Sequence, residues 1–136
     1  MTPVTALDAS AIIAFLQGEP GADMVRQALQ TERCVVGAAN LAEVIAKSID
    51  RGIAPETIRA ILAELSFTVI DVKAEDGAQA GWMRSQTRAF GLSLGDRLCL
   101  ATAQRLKAKI LTADRPWLNI AKQMDLDIQC IRPDAH

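Results

Sequence analysis

Four carboxylates stand where short apolar runs end or helical patterns begin. They are Asp8 in Leu7-Asp8-Ala9-Ser10, Glu43 in Asn40-Leu41-Ala42-Glu43, Asp96 in Gly91-Leu92-Ser93-Leu94-Gly95-Asp96, and Asp114 in Leu111-Thr112-Ala113-Asp114. Each has an ordinary local use. Ser93-x-x-Asp96 matches a capping box, Asn40-x-x-Glu43 resembles the same device, and Asp8 and Asp114 each precede a helical pattern that they could cap. Capping does not explain why four separate elements should all bring an acid to one place. Crowded carboxylates repel, and a hard divalent cation makes such a group favourable, because Mg²⁺ takes carboxylate oxygen and retains waters for substrate and chemistry.

The elements that must position these acids alternate between strand and helix. Short, largely apolar runs at Val4 to Asp8, Cys34 to Gly37, Phe67 to Val72, Lys109 to Thr112 and Ile128 to Ile131 read as buried strands of a parallel sheet. Between them, helical patterns fall at Ser10 to Leu16, Ala22 to Gln30, Asn40 to Arg51, Pro55 to Leu65, Glu75 to Phe90, Leu94 to Lys107 and Pro116 to Met124. Gly52 and Gly91 suit helix ends, and Pro55 and Pro116 suit first turns. On this map Asp8 ends the first strand, Asp114 follows the fourth, and Glu43 and Asp96 lie in first helical turns. In an open parallel sheet all four positions approach the carboxyl edge, where ligands bind at the point of strand-order reversal.

The chain has 136 residues, half of them hydrophobic, which suits a single domain over 1–136 with a core of its own. Fifteen basic and sixteen acidic residues leave a net charge of −1, so nucleic-acid contact would have to come from a local patch. Cys34, Cys99 and Cys130 lack CxxC spacing and read as reduced, buried thiols, an expectation that points to the cytoplasm. No basic-then-apolar leader opens the chain, and no apolar run approaches the roughly 18 residues of a membrane span. The one histidine, His136, is terminal, so an RNase-A-like mechanism built on histidines is not expected, and metal-free general base catalysis has no obvious agent.

The four quoted strings, in this order and over this length, resemble the PIN-domain family, and more narrowly its VapC-type toxin ribonucleases. The resemblance spans the whole chain. It implies a three-layer α/β/α fold, an endoribonuclease dependent on Mg²⁺ or Mn²⁺, a homodimer, and a VapB-like antitoxin partner. By the same matching, Asp8, Glu43, Asp96 and Asp114 take the places of the family's acidic site. The cation is then expected chiefly on Asp8 and Asp96, with Asp114 direct or through water, while Glu43 orients the attacking water or holds a second ion.

Other residues have weaker claims. Ser10 and Thr112 could orient carboxylates or simply cap locally. Arg97 and Arg115 each follow a site aspartate and could hold substrate phosphate, or form surface ion pairs of little worth. Trp82 reads as core or interface, and Trp117 as packing near the site. Ile12, Ile13, Phe15, Leu16, Ile58, Ile61, Leu62 and Leu65 exceed what one sheet face requires, and any exposed remainder could form an antitoxin groove. Two other classes compete. One is an aspartate-based phosphotransfer or phosphatase domain with Asp8 as nucleophile, although Asp8-Ala9-Ser10 lacks the second acid that such phosphatases resemble one another in having. The other is a non-catalytic RNA- or protein-binding module.

Overall fold

The structure is a computed structural model that describes residues 3–133, so His136 lies outside the described residues. Five strands, β1 (Val4–Leu7), β2 (Arg33–Gly37), β3 (Phe67–Ile70), β4 (Lys109–Thr112) and β5 (Ile128–Cys130), form one sheet in the order β3-β2-β1-β4-β5. All four pairings are parallel, with Ala6 opposite both Val35 and Ile110. The sheet therefore grows outward from β1 to β3, then restarts on the other side of β1. That places the reversal of strand order between β1 and β4.

Helices cover both faces of the sheet over β1, β2 and β4, as their near-continuous apolar runs require, whereas the edge strand β3, expected to be buried, leaves Thr68 and Val69 exposed. Alternation along the strands separates the two cores: Leu7, Cys34, Val36 and Leu111 pack with Ile12, Val25 and Val44. Those partners come from α1 (Ala9–Gln17), α2 (Ala22–Thr31) and α3 (Ala38–Asp50), with α4 (Pro55–Ala63) following. Ala6, Val35 and Ile110 point the other way, onto Met83, Cys99, Leu100, Trp117 and Ile120. On that side lie α5 (Ala74–Trp82), α6 (Arg84–Thr87), α7 (Leu94–Leu106) and α8 (Leu118–Ala121). The result is the three-layer α/β/α arrangement expected from the sequence. Among the described residues no helix is long and apolar enough to cross a membrane.

Three local expectations are corrected. The pattern from Glu75 to Phe90 is not one helix: it breaks after Trp82, resumes as α6 and tightens into a 3₁₀ turn at Arg88–Phe90. Gly77 and Gly81 weaken this stretch, and the Met83 carbonyl at the break accepts both the Thr87 hydroxyl and the Thr87 N–H at 3.0 Å. Pro116 to Met124 likewise divides into a 3₁₀ turn at Arg115–Trp117 and the short α8. Trp82 belongs to no core, being 78% exposed, because the buried face of α5 runs through Asp76 and Ala80 instead.

That buried face holds an ion pair that fixes α5 against α7. Asp76, 1% exposed, accepts from Arg105 Nε and Nη2 at 2.9 Å each and from the Lys73 backbone N–H at 2.9 Å. These bonds, chiefly those from Arg105, hold the Asp76 carboxyl below its ordinary range. Replacing Asp76 by Ala leaves half-buried Arg105 with only the Asp71 carbonyl, at 3.2 Å, to accept from it among the described residues, and we expect a loss of roughly 1–3 kcal/mol in urea unfolding at neutral pH. A group with a lowered folded-state pKa stabilises above its unfolded value, so the difference between wild type and variant should shrink as pH falls through the carboxylate range.

Candidate active site

Asp8 is the first residue after β1 and the N-cap of α1, with φ −81° and ψ 173°. The sequence fits that place, since an extended aspartate can turn its carboxylate onto the first free amide of a helix. Asp8 Oδ1 accepts from the Ala11 amide at 2.8 Å. Thr112, at the end of β4, donates its hydroxyl to Asp8 Oδ2 at 2.6 Å, and the Ser10 hydroxyl lies 2.8 and 2.9 Å from the two carboxylate oxygens. Both hydroxyls also accept backbone amides from the segment just after β4: Ala113 N–H to Ser10 at 2.9 Å and Asp114 N–H to Thr112 at 3.0 Å. Ser10 and Thr112 therefore join the ends of β1 and β4 through the Asp8 carboxylate, at the strand-order reversal.

Asp8 is only 2% exposed, and burial pushes its carboxyl up to about 6 despite the opposing hydrogen bonds from Thr112, Ala11 and Ser10. The Asp96 charge raises it further. Asp96 is the third residue of α7, where it forms the expected reciprocal cap: its Oδ2 accepts the Ser93 N–H at 2.9 Å, and its own N–H donates to Ser93 Oγ at 3.1 Å. Gly91, in the left-handed region at φ 69°, ends the preceding 3₁₀ turn. Asp114 is held differently from the expectation. It makes no side-chain cap to the turn that follows, and its Oδ2 instead accepts from the indole N–H of fully buried Trp117 at 3.1 Å. Burial and the Asp96 charge raise the Asp114 carboxyl, against the Trp117 hydrogen bond and the Arg132 charge.

Glu43 also departs from its expected setting. β2 runs directly into α3, whose N-cap is Gly37, so Asn40 is already inside the helix and Glu43 lies in its second turn. No Asn40 capping box exists. Asn40 instead bonds Glu43 Oε1 at 3.1 Å and the Gly95 carbonyl of α7 at 3.2 Å through the same amide nitrogen. The buried Cys99 thiol shows that three of the acids share a region, since Asp8, Asp96 and Glu43 all add to the burial that raises it well above its ordinary value.

Among the described residues, no three His, Cys, Asp or Glu side chains are gathered tightly enough to make a ready metal-holding group. The acids meet through their fields rather than by contact. In donor type and charge they still fit a hard divalent cation: carboxylate oxygens at one sheet edge, two of them raised partly by Asp96, and none in a salt bridge among the described residues. A cavity of about 710 Å³ lies elsewhere, beside Thr5, Glu32, Lys107 and Lys109, and holds none of these acids.

The two candidate phosphate binders are turned to other partners. One residue along a helix is a rotation of roughly 100°, and Arg97 points away from Asp96 to donate to the Ala80 carbonyl of α5 at 2.9 Å. Arg115 donates to the Arg132 carbonyl at 2.8 Å. All three cysteines are free, with Cys34 and Cys99 buried and Cys130 half-buried. Sequence reading missed the Trp117 bond to Asp114 and the Asn40 bridge. The i,i+3 spacings Asp114–Trp117 and Asn40–Glu43 were the available signals.

The model of the PIN domain matches residues 5–123. No curated protein matches the sequence. Among solved structures, a chain of a toxin-antitoxin complex from Klebsiella pneumoniae superposes with a TM-score of 0.74 at 17% identity, over 96% of this chain and 99% of that one. VapBC-1 from nontypeable Haemophilus influenzae gives 0.67 at 23% identity, over 94% and 98%. VapC20 of Mycobacterium tuberculosis, described as a sarcin-ricin loop cleaving toxin, gives 0.64 at 14% identity, over 80% and 87%.

Proposed function

This chain belongs to the PIN-domain family, and from that premise we propose that it is a metal-dependent endoribonuclease of the VapC type, the toxin of a toxin-antitoxin pair. The observation that carries the proposal is the position of Asp8 and Asp114 on either side of the strand-order reversal, both feeling the Asp96 charge. Asp8, Asp96 and Asp114 would hold Mg²⁺, or Mn²⁺ in its place. When bound, the cation supplies Lewis-acid activation of water and offsets charge on the phosphodiester.

The chain's own residues do the rest. Ser10, Thr112 and the Ala11 amide fix the Asp8 carboxylate in one orientation, so it need not reorganise when substrate arrives. Trp117 does the same for Asp114. Glu43, on helix α3, would orient the attacking water or hold a second ion. With the Asp8 carboxyl near 6 in the metal-free protein, a proton competes with the cation there, so apparent metal affinity, read by titrating Mn²⁺ into the protein, should rise with pH through that range.

The partners follow from the same reading. The substrate is RNA, the protein acts in the cytoplasm as a homodimer, and a VapB-like antitoxin segment covers apolar surface between α1, α3 and α4, where Leu16, Ile53, Ile58, Ile61 and Leu62 line a groove. Ile61 remains 37% exposed there. The complexes among its structural neighbours support an antitoxin partner. The test is incubation of purified protein with total cellular RNA in Mg²⁺ and Mn²⁺, against EDTA. Discrete fragments that appear only with metal support the proposal.

One observation favours a second reading, a binding module without chemistry: the acids are not gathered into a metal-holding group. RNA retained in a gel shift but left uncut under either metal would favour it.

A further inference from the structure

Asn40 is 1% exposed, and its side chain is divided: Nδ2 donates to Glu43 Oε1 at 3.1 Å and to the Gly95 carbonyl at 3.2 Å, while Oδ1 is buried without a hydrogen-bond partner. Turning the amide over would set Oδ1 against two acceptors, so the orientation is fixed by its surroundings. A buried orphan acceptor is a cost that folding alone does not favour. On the far side, Gly95 leaves the space that the Glu43 carboxylate fills: a Cβ there would stand 2.3 Å from Oε1 and 2.7 Å from the carboxyl carbon. Alanine is otherwise the better helix former at an ordinary α7 position, so the absent methyl group calls for an explanation outside helix propensity.

We propose that Asn40 and Gly95 are positioning residues that together set where the Glu43 carboxylate stands in the acidic site, one by holding it and the other by leaving it room. This inference rests on the endoribonuclease reading given above. Asn40 also ties α3 to α7 through the Gly95 carbonyl, so the two helices that carry Glu43 and Asp96 are held in register by the bond that orients Glu43. Neither residue need touch substrate.

The first readout uses the metal-free protein and does not depend on cleavage. The chain has only two asparagines, and Asn119 is exposed, so the Asn40 side-chain amide pair is readily assigned in a ¹⁵N-labelled sample. Its resonances should move on Glu43→Gln and on Gly95→Ala, while those of Asn119 stay in place. The second readout is steady-state cleavage: Asn40→Ala and Gly95→Ala are each expected to lower kcat about tenfold with KM within about twofold. In a Glu43→Gln background neither should lower it further, because the carboxylate they position is already gone. Thermal melts establish that each variant is folded.

The proposal is overturned if the Asn40 amide is indifferent to Glu43→Gln, or if the Asn40→Ala loss persists undiminished in the Glu43→Gln background. A change confined to KM overturns it as well. If the wild type cuts no RNA under either metal, the endoribonuclease reading fails, and the positioning proposal stands or falls on the amide resonances alone.

Discussion

Asp96→Asn should lose metal-dependent RNA cleavage by at least about 100-fold while melting within a few degrees of wild type. The two halves of this result follow from two uses of one side chain. As a cap, Asp96 needs only an acceptor for the Ser93 N–H and a backbone amide for Ser93 Oγ, and asparagine keeps both. The variant forgoes a favourable charge at the helix N-terminus, about 0.3–1 kcal/mol, but also removes the charge that raises Asp8 and Asp114. These changes oppose each other. As a member of the acidic set, by contrast, Asp96 contributes a charge that the neutral amide does not replace. Matched circular dichroism melts and cleavage time courses check both parts, and a folded variant with wild-type activity would remove Asp96 from the site.

Asp8→Asn should be inactive and, without metal, more stable than wild type at neutral pH. The sign follows from the raised carboxyl. Between about 4 and about 6 the native state keeps a proton that the unfolded chain has lost, so burying the Asp8 charge destabilises the fold as pH rises. The penalty is absent below that window and complete above it. A rise from 3.8 to about 6 corresponds to about 3 kcal/mol at 1.36 kcal/mol per pH unit. Asparagine removes it and retains the bond from the Ala11 amide, but sets an NH₂ where Ser10 and Thr112 donate, so a net gain of roughly 1–2 kcal/mol is expected. Chemical denaturation in EDTA at pH 7.5 and at pH 4 checks this, with the advantage vanishing at the lower pH. An Asp8→Asn protein less stable than wild type at pH 7.5 would show that the hydroxyl network, not the buried charge, dominates at this position.

Such a trade is expected where residues are kept for function. A buried carboxylate with a raised pKa, an asparagine with an orphan oxygen and a glycine near a helix start are each unfavourable for folding alone. They lie together at one sheet edge.

What could be read from the sequence was what is local. Asp96 three residues after Ser93 forms its capping box because α7 begins where the pattern does, and the β-branched runs read as strands, largely buried in β1, β2 and β4 though not at the β3 edge. Asp8 and Asp114 at the ends of β1 and β4 follow from the same alternation. The bonds that join those elements are not local: Thr112 lies 104 residues from Asp8, and Asn40 lies 55 from Gly95. Adjacency in sequence also misdirected. Arg97 neighbours Asp96 but faces α5, and Asn40, which looked like a cap, was absorbed once α3 began at Ala38. Trp82 read as core or interface, and the helix turns it outward, which excludes the core alternative.

The measurement that bears most directly on the account is the chemistry of the RNA ends formed by wild-type protein in Mn²⁺ beside an Asp8→Asn, Asp96→Asn double variant purified identically. Water-mediated hydrolysis predicts fragments ending in a hydroxyl on one side and a monophosphate on the other, free of 2′,3′-cyclic phosphate, and present only when both aspartates are. Cyclic phosphate ends, or the same fragments from the double variant, would contradict a metal-dependent hydrolase built on these acids.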